Sequence, residues 1–149
     1  MTDKNPLRGV YCLIINLKEK STIQVGKKGK INFEDGCYVY VGSALNSLTA
    51  RINRHLRAEK KLHWHVDYLL ESDHSEIAEV MYTITHERLE CQVAHEISKG
   101  GMGVKGFGCS DCGCQSHLFY FSNCFGAVEA CQDAFNHLKQ EQKTLLDLI

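Results

Sequence analysis

An arginine and a histidine lie four positions apart in a segment whose apolar residues recur at helical spacing. Arg51 and His55 accompany Leu48 and Ile52. At about 100° per residue, the two polar side chains lie one turn apart at the rim of the apolar stripe. An arginine at such a rim can reach a bound phosphate while its helix stays anchored in the core. The alternative is an arginine whose stem covers apolar surface, beside a histidine that bonds a backbone carbonyl.

Positive charge is concentrated around this helix. The whole chain has a formal net charge of −1, but residues 51–65 carry five lysines or arginines against one acid. Such a segment can contact a phosphate backbone, so we expect Arg54, Arg57 and Lys61 to bind the substrate. The alternative is a solvated charged face, which is the usual explanation of a charge run.

Two histidines flank the single tryptophan of the chain, and an aspartate follows. On a helix His63 and His65 face different directions, so they make a poor pair of metal ligands there. We expect His65 to lie at the rim of the site, where it contacts the substrate and is oriented by Asp67. The alternative is a surface histidine beside a buried Trp64.

A cluster of three cysteines and one histidine follows a glycine-rich loop over residues 100–108. Cys109, Cys112, Cys114 and His117 place four soft or borderline donors within nine residues. This spacing can close a tetrahedral zinc site, although plain small thiols are an equal alternative. The five other cysteines are expected to be core residues: Cys12, Cys37, Cys91, Cys124 and Cys131.

The elements that must position these residues are short strands and helices. Three strands are predicted at 9–15, 21–25 and 37–41, and they are expected to form one antiparallel sheet. A helix should begin near Asn46 or Ser47 and pack Leu45, Leu48, Ile52 and Leu56 against that sheet. Further elements are predicted as follows: a short helix at 65–70, a strand at 77–85, a helix at 88–98, a strand at 118–121 and a helix from about 127. The fold class is therefore α+β within the α/β group, with a small, mainly antiparallel central sheet flanked by helices.

Length and composition restrict the class of protein. The 149 residues suffice for one domain, and we expect residues 1–149 to form a single domain with a cysteine-rich C-terminal extension. An apolar fraction of 44% and a charged fraction of 23% are typical of globular proteins and exclude a disordered chain. No apolar run approaches the length of a membrane helix, and no secretory signal is visible, so a cytoplasmic location without membrane contact is expected.

Three short patterns in this chain resemble the GIY-YIG nuclease superfamily. Their order and spacing match as follows: Gly9-Val10-Tyr11 on one strand, Tyr40-Val41-Gly42 on another, and Leu48, Arg51 and His55 on a helix. Two further segments, at residues 63–70 and 110–118, resemble the Uri-type branch of that superfamily, a domain of largely uncharacterised function. The resemblance therefore implies a GIY-YIG-like core and covers most of the chain.

The resemblance implies hydrolysis of phosphodiester bonds with one divalent metal, Mg²⁺ or Mn²⁺. Tyr11 and Tyr40 would orient or deprotonate the attacking water. Arg51 would stabilise the charge that grows on the phosphate. His55 would assist a proton transfer or hold a tyrosine in place.

In the superfamily, a helix glutamate holds the metal. Glu90 lies inside the apolar arc of the predicted helix at 88–98, where a carboxylate must find a cation or change its protonation. We therefore expect Glu90 to pair with the metal or with Arg51, and Glu96 is the fallback. The family's glutamate position coincides with His95, which points the other way, so metal binding by a different route or loss of cleavage remains an alternative.

These observations favour a metal-dependent nuclease that acts on DNA, and repair or recombination is its expected context. A second hypothesis is a non-cleaving nucleic-acid-binding module with a structural zinc site. A third is a phosphate-binding or redox-responsive protein built around Cys112 and Cys114. The four residues Tyr11, Tyr40, Arg51 and His55 favour the first hypothesis, and the displaced glutamate favours the second.

Overall fold

The central strand of the protein, β1, is a nine-residue run that is rich in β-branched and aromatic residues. The structure is a computed structural model that describes residues 7–108 and 113–148. Its strands are β1 (Gly9–Leu17), β2 (Ser21–Gln24), β3 (Lys30–Phe33), β4 (Gly36–Ala44), β5 (Ser75–Ile84), β6 (Met102–Gly103), β7 (Leu118–Phe121) and β8 (Lys143–Thr144). Its helices are α1 (Leu48–Leu56), α2 (His65–Glu71), α3 (Glu90–Ser98) and α4 (Cys124–His137), with short 3₁₀ turns at Gly26–Lys28 and Leu145–Leu148.

The main sheet has six strands in the order β6-β7-β4-β1-β5-β8. Every pairing between neighbours is antiparallel. The prediction that β2 joins this sheet is wrong, because β4 and β5 occupy both edges of β1. Instead β2 pairs with β3 in a separate two-stranded sheet, and the sequence analysis did not predict β3. The predicted α+β class with a mainly antiparallel sheet is confirmed.

Alternation along β1 sends its side chains into two separate cores. Val10, Cys12 and Ile14 belong to the core packed by α3 and α4. Tyr11, Leu13, Ile15 and Leu17 belong to the core that contains the buried side chains of α1 and α2. Because side chains of a strand alternate with period two, the parity of Tyr11 places its ring on the same side of the sheet as α1.

Helix α1 begins where the sequence predicts. Ser47 is its N-cap, and its side chain accepts a hydrogen bond from the Ala50 amide at 3.1 Å. The expectation that Leu45 and Leu56 pack on the sheet is wrong, since they are 54% and 40% exposed. Leu45 precedes the helix, and Leu56 is its last residue, so neither lies over the sheet as the buried Leu48 and Ile52 do.

The register between β1 and β4 brings a tyrosine and a glycine opposite each other. Tyr11 pairs with Gly42. A Cβ atom added at Gly42 would lie 2.5 Å from the hydroxyl and from Cζ of Tyr11, which no side chain can accommodate without displacing that ring. Glycine is therefore needed at position 42 for close approach rather than for backbone freedom.

In the described part of the chain, no helix combines the length and the apolar character that crossing a membrane requires.

Candidate functional site

A cavity of about 470 Å³ lies where the Tyr11 end of β1, the adjoining end of β4 and helix α1 meet. Its lining residues are Tyr11, Tyr40, Gly42, Ser43, Arg51, His63, Trp64, His65, Glu90, Gly108 and His117. Three of the four residues proposed as catalytic from the sequence are among them, and the fourth, His55, contacts the ring of Tyr11. The cavity thus brings together polar groups from six separate parts of the chain.

The hydroxyl of Tyr11 forms a hydrogen bond with Nε2 of His55 at 2.7 Å. Both side chains are buried. Burial raises the pKa of Tyr11 well above its ordinary value, and the charge of Arg51 offsets only part of that rise. Burial also lowers the pKa of His55 to about 4. At neutral pH the pair therefore consists of a protonated phenol and a neutral imidazole.

The other ring nitrogen of His55 is buried without a partner. No described residue hydrogen-bonds Nδ1 of His55. Tyr40 and Trp64 contact the same ring, with centroids 6.1 and 5.6 Å from that of His55. The imidazole is thus surrounded by aromatic rings and has one polar contact, the Tyr11 hydroxyl, which makes protonation unfavourable.

Tyr40 lies on β4 and lines the cavity. Its side chain is 8% exposed, and its ring contacts Phe107 edge-on. Burial raises the pKa of Tyr40, and the neighbouring Tyr11 raises it further. Like Tyr11, it is a neutral phenol. Its hydroxyl can orient a water molecule, but it is not deprotonated and ready to act as a base.

Arg51 is held by the Ser43 carbonyl and the Trp64 ring, and it also interacts with the Tyr11 hydroxyl. Its Nη1 donates to the carbonyl oxygen of Ser43 at 2.9 Å. Its Cζ lies 4.5 Å from the centroid of Trp64, within the range of a cation–π contact. A guanidinium has five N–H donors, and this bond uses one of them. The side chain is therefore held in place while most of its donors stay available for a phosphate.

Trp64 contacts two guanidinium groups. Arg54 lies 4.2 Å from the centroid of the Trp64 ring, in addition to the contact with Arg51. Arg54 is itself fixed by two hydrogen bonds to the carboxylate of Asp67, each 3.0 Å long. The tryptophan thus connects the arginine of the cavity to a buried ion pair behind it.

Asp67 is fully buried and has four hydrogen bonds. Besides Arg54, the backbone amides of His63 and Trp64 donate to it, both at 2.9 Å. Burial alone would raise the pKa of Asp67, but the Arg54 guanidinium and these amides lower it below the ordinary value. Asp67 consequently fixes the segment that carries Trp64 at the cavity.

The candidate substrate-binding residues separate into two groups. Arg54 is bound to Asp67 and to the Lys61 carbonyl, so its guanidinium is occupied within the protein. Arg57 and Lys61 are exposed. His65 lines the cavity as expected, but the expectation that Asp67 orients it is wrong. Instead Nδ1 of His65 accepts a hydrogen bond from the Gly108 amide at 2.9 Å.

Glu90 is the first residue of α3 and faces the cavity rather than the core. Its side chain is 34% exposed, which corrects the expectation that it points into the apolar arc. Its Oε1 lies 3.7 Å from Nδ1 of His117. Within the described residues, Glu90 and Arg51 form no ion pair within 4 Å. The fallback Glu96 forms ion pairs with Lys99 and His137 instead.

Cys91, Cys114 and His117 form a cluster that could hold a metal ion. One ligand atom from each of the three lies within 4.8 Å of the other two. The sequence analysis had assigned Cys91 to the core, which is wrong, because it is solvent-accessible in the first turn of α3. Cys12, Cys37 and Cys131 are buried, and Cys124 packs against the same core. Cys109 and Cys112 lie outside the described residues.

Sequence reasoning missed two contributors to this site. Trp64 was considered only as a neighbour of two histidines, although it contacts Arg51 directly. Cys91 is separated by 23 positions from Cys114, the other cysteine of its cluster, so no local spacing in the sequence pointed to it.

The comparisons with known proteins identify a family. Residues 10–140 match the family described as Domain of unknown function DUF123. This span contains Tyr11, Tyr40, Arg51, His55 and Glu90 together with the cluster that could hold a metal ion. Neither the curated proteins nor the solved structures provided a match. The chain belongs to the family described as Domain of unknown function DUF123.

Proposed function

We propose that the protein is a divalent-metal-dependent nuclease of the GIY-YIG type that hydrolyses phosphodiester bonds in DNA. The observation that carries the proposal is the convergence of Tyr11, Tyr40, Arg51 and Glu90 on one cavity, with His55 bonded to Tyr11. The motifs that resemble the superfamily come from two strands and a helix, and their polar side chains meet at this point. The two segments that resemble the Uri-type branch, residues 63–70 and 110–118, also lie within residues 10–140, which match the family.

Arg51 is the proposed phosphate ligand. Its guanidinium is held by the Ser43 carbonyl and by the Trp64 ring, so little side-chain freedom is lost when a phosphate binds. Planar N–H donors match the oxygens of a phosphoryl group. Their bonds strengthen as negative charge accumulates in the transition state, which lowers the barrier.

Tyr11 and His55 form the proposed proton path. With the imidazole proton on Nδ1, Nε2 accepts the Tyr11 hydroxyl proton, and the phenol oxygen accepts a proton from the attacking water. The water oxygen then forms the new bond to phosphorus while the bond between phosphorus and the leaving sugar oxygen breaks, and that sugar oxygen takes its proton from solvent. A pKa of about 4 makes His55 a weak base in the protein alone. A bound phosphate anion raises that pKa by favouring the imidazolium.

The carboxylate of Glu90 is suited to bind the proposed divalent metal. Among the described residues that line the cavity it is the only carboxylate, and its side chain is partly exposed. Mg²⁺ is commonly held by one or two carboxylates, with waters and substrate phosphate completing its shell. When bound, such a cation lowers the pKa of water and neutralises charge on the phosphate.

A non-cleaving nucleic-acid-binding module is the second candidate function. It is favoured by the raised pKa values of Tyr11 and Tyr40, because neither phenol is a base at neutral pH without help. It is also favoured by the contact between Glu90 and His117, which competes with a metal for the carboxylate. Such a module would bind DNA through Arg57 and Lys61 and would leave it uncut.

The deciding experiment measures cleavage of branched and nicked duplex DNA in Mg²⁺ and in Mn²⁺. Arg51→Ala should lower turnover by roughly two to three powers of ten, the effect of losing one preorganised donor, and should affect DNA binding far less. Glu90→Gln should abolish the response to Mg²⁺ or shift it to much higher concentration. Arg8→Ala, at an exposed arginine outside the cavity, is the matched control.

Parent protein that binds DNA but cleaves none of these substrates with either cation would contradict the nuclease. The binding module would then stand, provided that Arg51→Ala and Glu90→Gln change only the melting temperature.

A further inference from the structure

Two thiols and an imidazole from separate elements converge beside the cavity described above. Cys91 lies in α3, Cys114 lies in the loop that precedes β7, and His117 directly precedes β7. The Sγ of Cys91 is 3.9 Å from Nε2 of His117. Their ligand atoms all lie within 4.8 Å of one another. The convergence is a product of the fold, because α3 and β7 both pack into the same core.

The distances and donor types suit a tetrahedral metal of the zinc class. With Zn–S of about 2.3 Å and Zn–N of about 2.0–2.1 Å, a tetrahedral ion separates sulfur and nitrogen by about 3.6 Å. The observed separation of Cys91 and His117 is 3.9 Å, so small side-chain adjustments would complete the geometry. Thiolate and imidazole ligands select Zn²⁺ over Mg²⁺, which prefers oxygen.

His117 is held rigidly in the orientation that such a ligand needs. Its side chain is 2% exposed. Its amide donates to the Phe107 carbonyl, and its own carbonyl accepts from the Val41 amide, both at 2.9 Å. Its Nδ1 faces Oε1 of Glu90 at 3.7 Å, while its Nε2 faces Cys91. A metal-binding histidine whose second nitrogen faces a carboxylate is the usual arrangement around zinc.

We propose that Cys91, Cys114 and His117 bind one Zn²⁺ ion and that Glu90 orients His117 from behind. The three donors leave a fourth position of the tetrahedron open to a further ligand. Metal on Nε2 places the imidazole proton on Nδ1, the atom that faces Oε1 of Glu90 at 3.7 Å. The site differs from the one predicted from spacing alone, since it includes Cys91 from a distant helix.

The proposed zinc site adjoins the cavity of the proposed nuclease, and His117 belongs to both. His117 and Glu90 line the smaller cavity, whereas Cys91 and Cys114 line a neighbouring cavity of about 1000 Å³. Loading the cluster with zinc would fix the carboxylate that is the proposed Mg²⁺ ligand. This consequence rests on the proposed function, whereas zinc binding itself does not.

The first experiment measures zinc binding without nucleic acid. Protein purified under reducing conditions and without chelator should contain about one zinc per chain. Replacement by Co²⁺ should produce the thiolate charge-transfer absorption and the visible bands of a tetrahedral ion. Protein without zinc that also gives no such absorption with Co²⁺ would overturn the proposal, whatever the outcome of the cleavage assay.

Variants identify the ligands. Cys91→Ser, Cys114→Ser and His117→Asn should each weaken zinc affinity by at least roughly tenfold, and Glu90→Gln by about 10–100-fold. The matched controls are His95→Asn, at an exposed histidine of α3 that lines the larger cavity, and Cys124→Ser, at a thiol outside the cluster. Both should retain the affinity and the Co²⁺ spectrum of the parent protein.

Cys91→Ser separates this site from the four-ligand alternative of Cys109, Cys112, Cys114 and His117. Because Cys91 is solvent-accessible, its replacement by serine should not unfold the protein. Unchanged zinc affinity and an unchanged Co²⁺ spectrum in this variant would overturn the proposed ligand set. A variant that loses zinc but cleaves DNA normally would contradict only the inference that zinc binding fixes Glu90 for Mg²⁺.

Discussion

The Tyr11 hydroxyl and Nε2 of His55 lie 2.7 Å apart in the core beside the cavity. The bond joins a strand to a helix across 44 residues of sequence, and it is the one polar contact of the imidazole among the described residues. Since burial lowers the pKa of His55 to about 4, folding requires that this histidine be neutral. Stability must therefore depend on pH through His55.

We expect stability to fall as the pH falls through the window between 6.5 and about 4. In this window the unfolded histidine binds a proton and the folded one does not, so acid favours unfolding. The full effect of such a shift is roughly 3 kcal/mol. Urea unfolding at several pH values should show a smaller loss in His55→Gln than in the parent protein. Burial also lowers the pKa of His65, so the test is the difference between the two proteins.

Equal pH dependence in the parent protein and in His55→Gln would mean that His55 is not buried as a neutral ring.

Asp67 affects the stability of the protein over a lower pH range than His55. Its pKa is held below the ordinary 3.8, so its contribution is present above that value and is lost as the pH falls further.

Replacing Tyr11 by phenylalanine should lower both stability and cleavage. The ring that fills the core is kept, but Nε2 of His55 loses its partner while Nδ1 already lacks one. A buried polar group without a partner costs about 1–3 kcal/mol. Thermal or urea unfolding measures this cost, and cleavage under conditions where the variant is folded measures the catalytic effect.

The double variant Tyr11→Phe with His55→Phe provides the control for stability. Once both polar groups are absent, most of the stability should return, because no unpaired nitrogen is left in the core. If Tyr11→Phe alone is as stable as the parent protein and cleaves DNA equally well, then the hydrogen bond between Tyr11 and His55 contributes neither to stability nor to catalysis.

Trp64 should act on catalysis through the position of Arg51. A cation–π contact contributes about 0.5–2 kcal/mol, so Trp64→Leu should lower kcat by roughly two- to thirtyfold while KM changes less. Trp64→Phe keeps an aromatic face and should retain more activity. Steady-state kinetics of cleavage provide the measurement. A purely structural role predicts the opposite pattern, a lower Tm with unchanged kcat in the folded protein.

The exposed cations near α1 should govern the salt dependence of DNA binding. Reversing Arg57 and Lys61 to glutamate should weaken binding of any sequence and reduce the slope of log affinity against log salt by about 2. Arg54 is left in place, because its loss would leave Asp67 buried without its cation.

The charge-matched control reverses Lys139 and Lys143, which lie after α4 and away from the cavity. Titrations of duplex DNA at several salt concentrations compare the two double variants. Similar weakening in both would show that net charge, and not this surface, determines binding.

The local geometry of the site was predictable from the sequence because it depends on spacing within one element. The helical period places Arg51 and His55 on one side of α1, and Ser47 caps that helix through its own hydroxyl. The period of two along β1 decides which residues share a face with Tyr11. These relations involve neighbours in the chain, so sequence alone contains them.

Contacts between distant segments were decided by the tertiary structure. Strand β2 is excluded from the sheet because β4 and β5 already occupy both edges of β1. The pairing of Arg54 with Asp67, and of Glu90 with His117, depends on how helices and loops pack over that sheet. Cys91 meets His117 for the same reason, since residues 26 positions apart converge only when the core that holds both elements has formed.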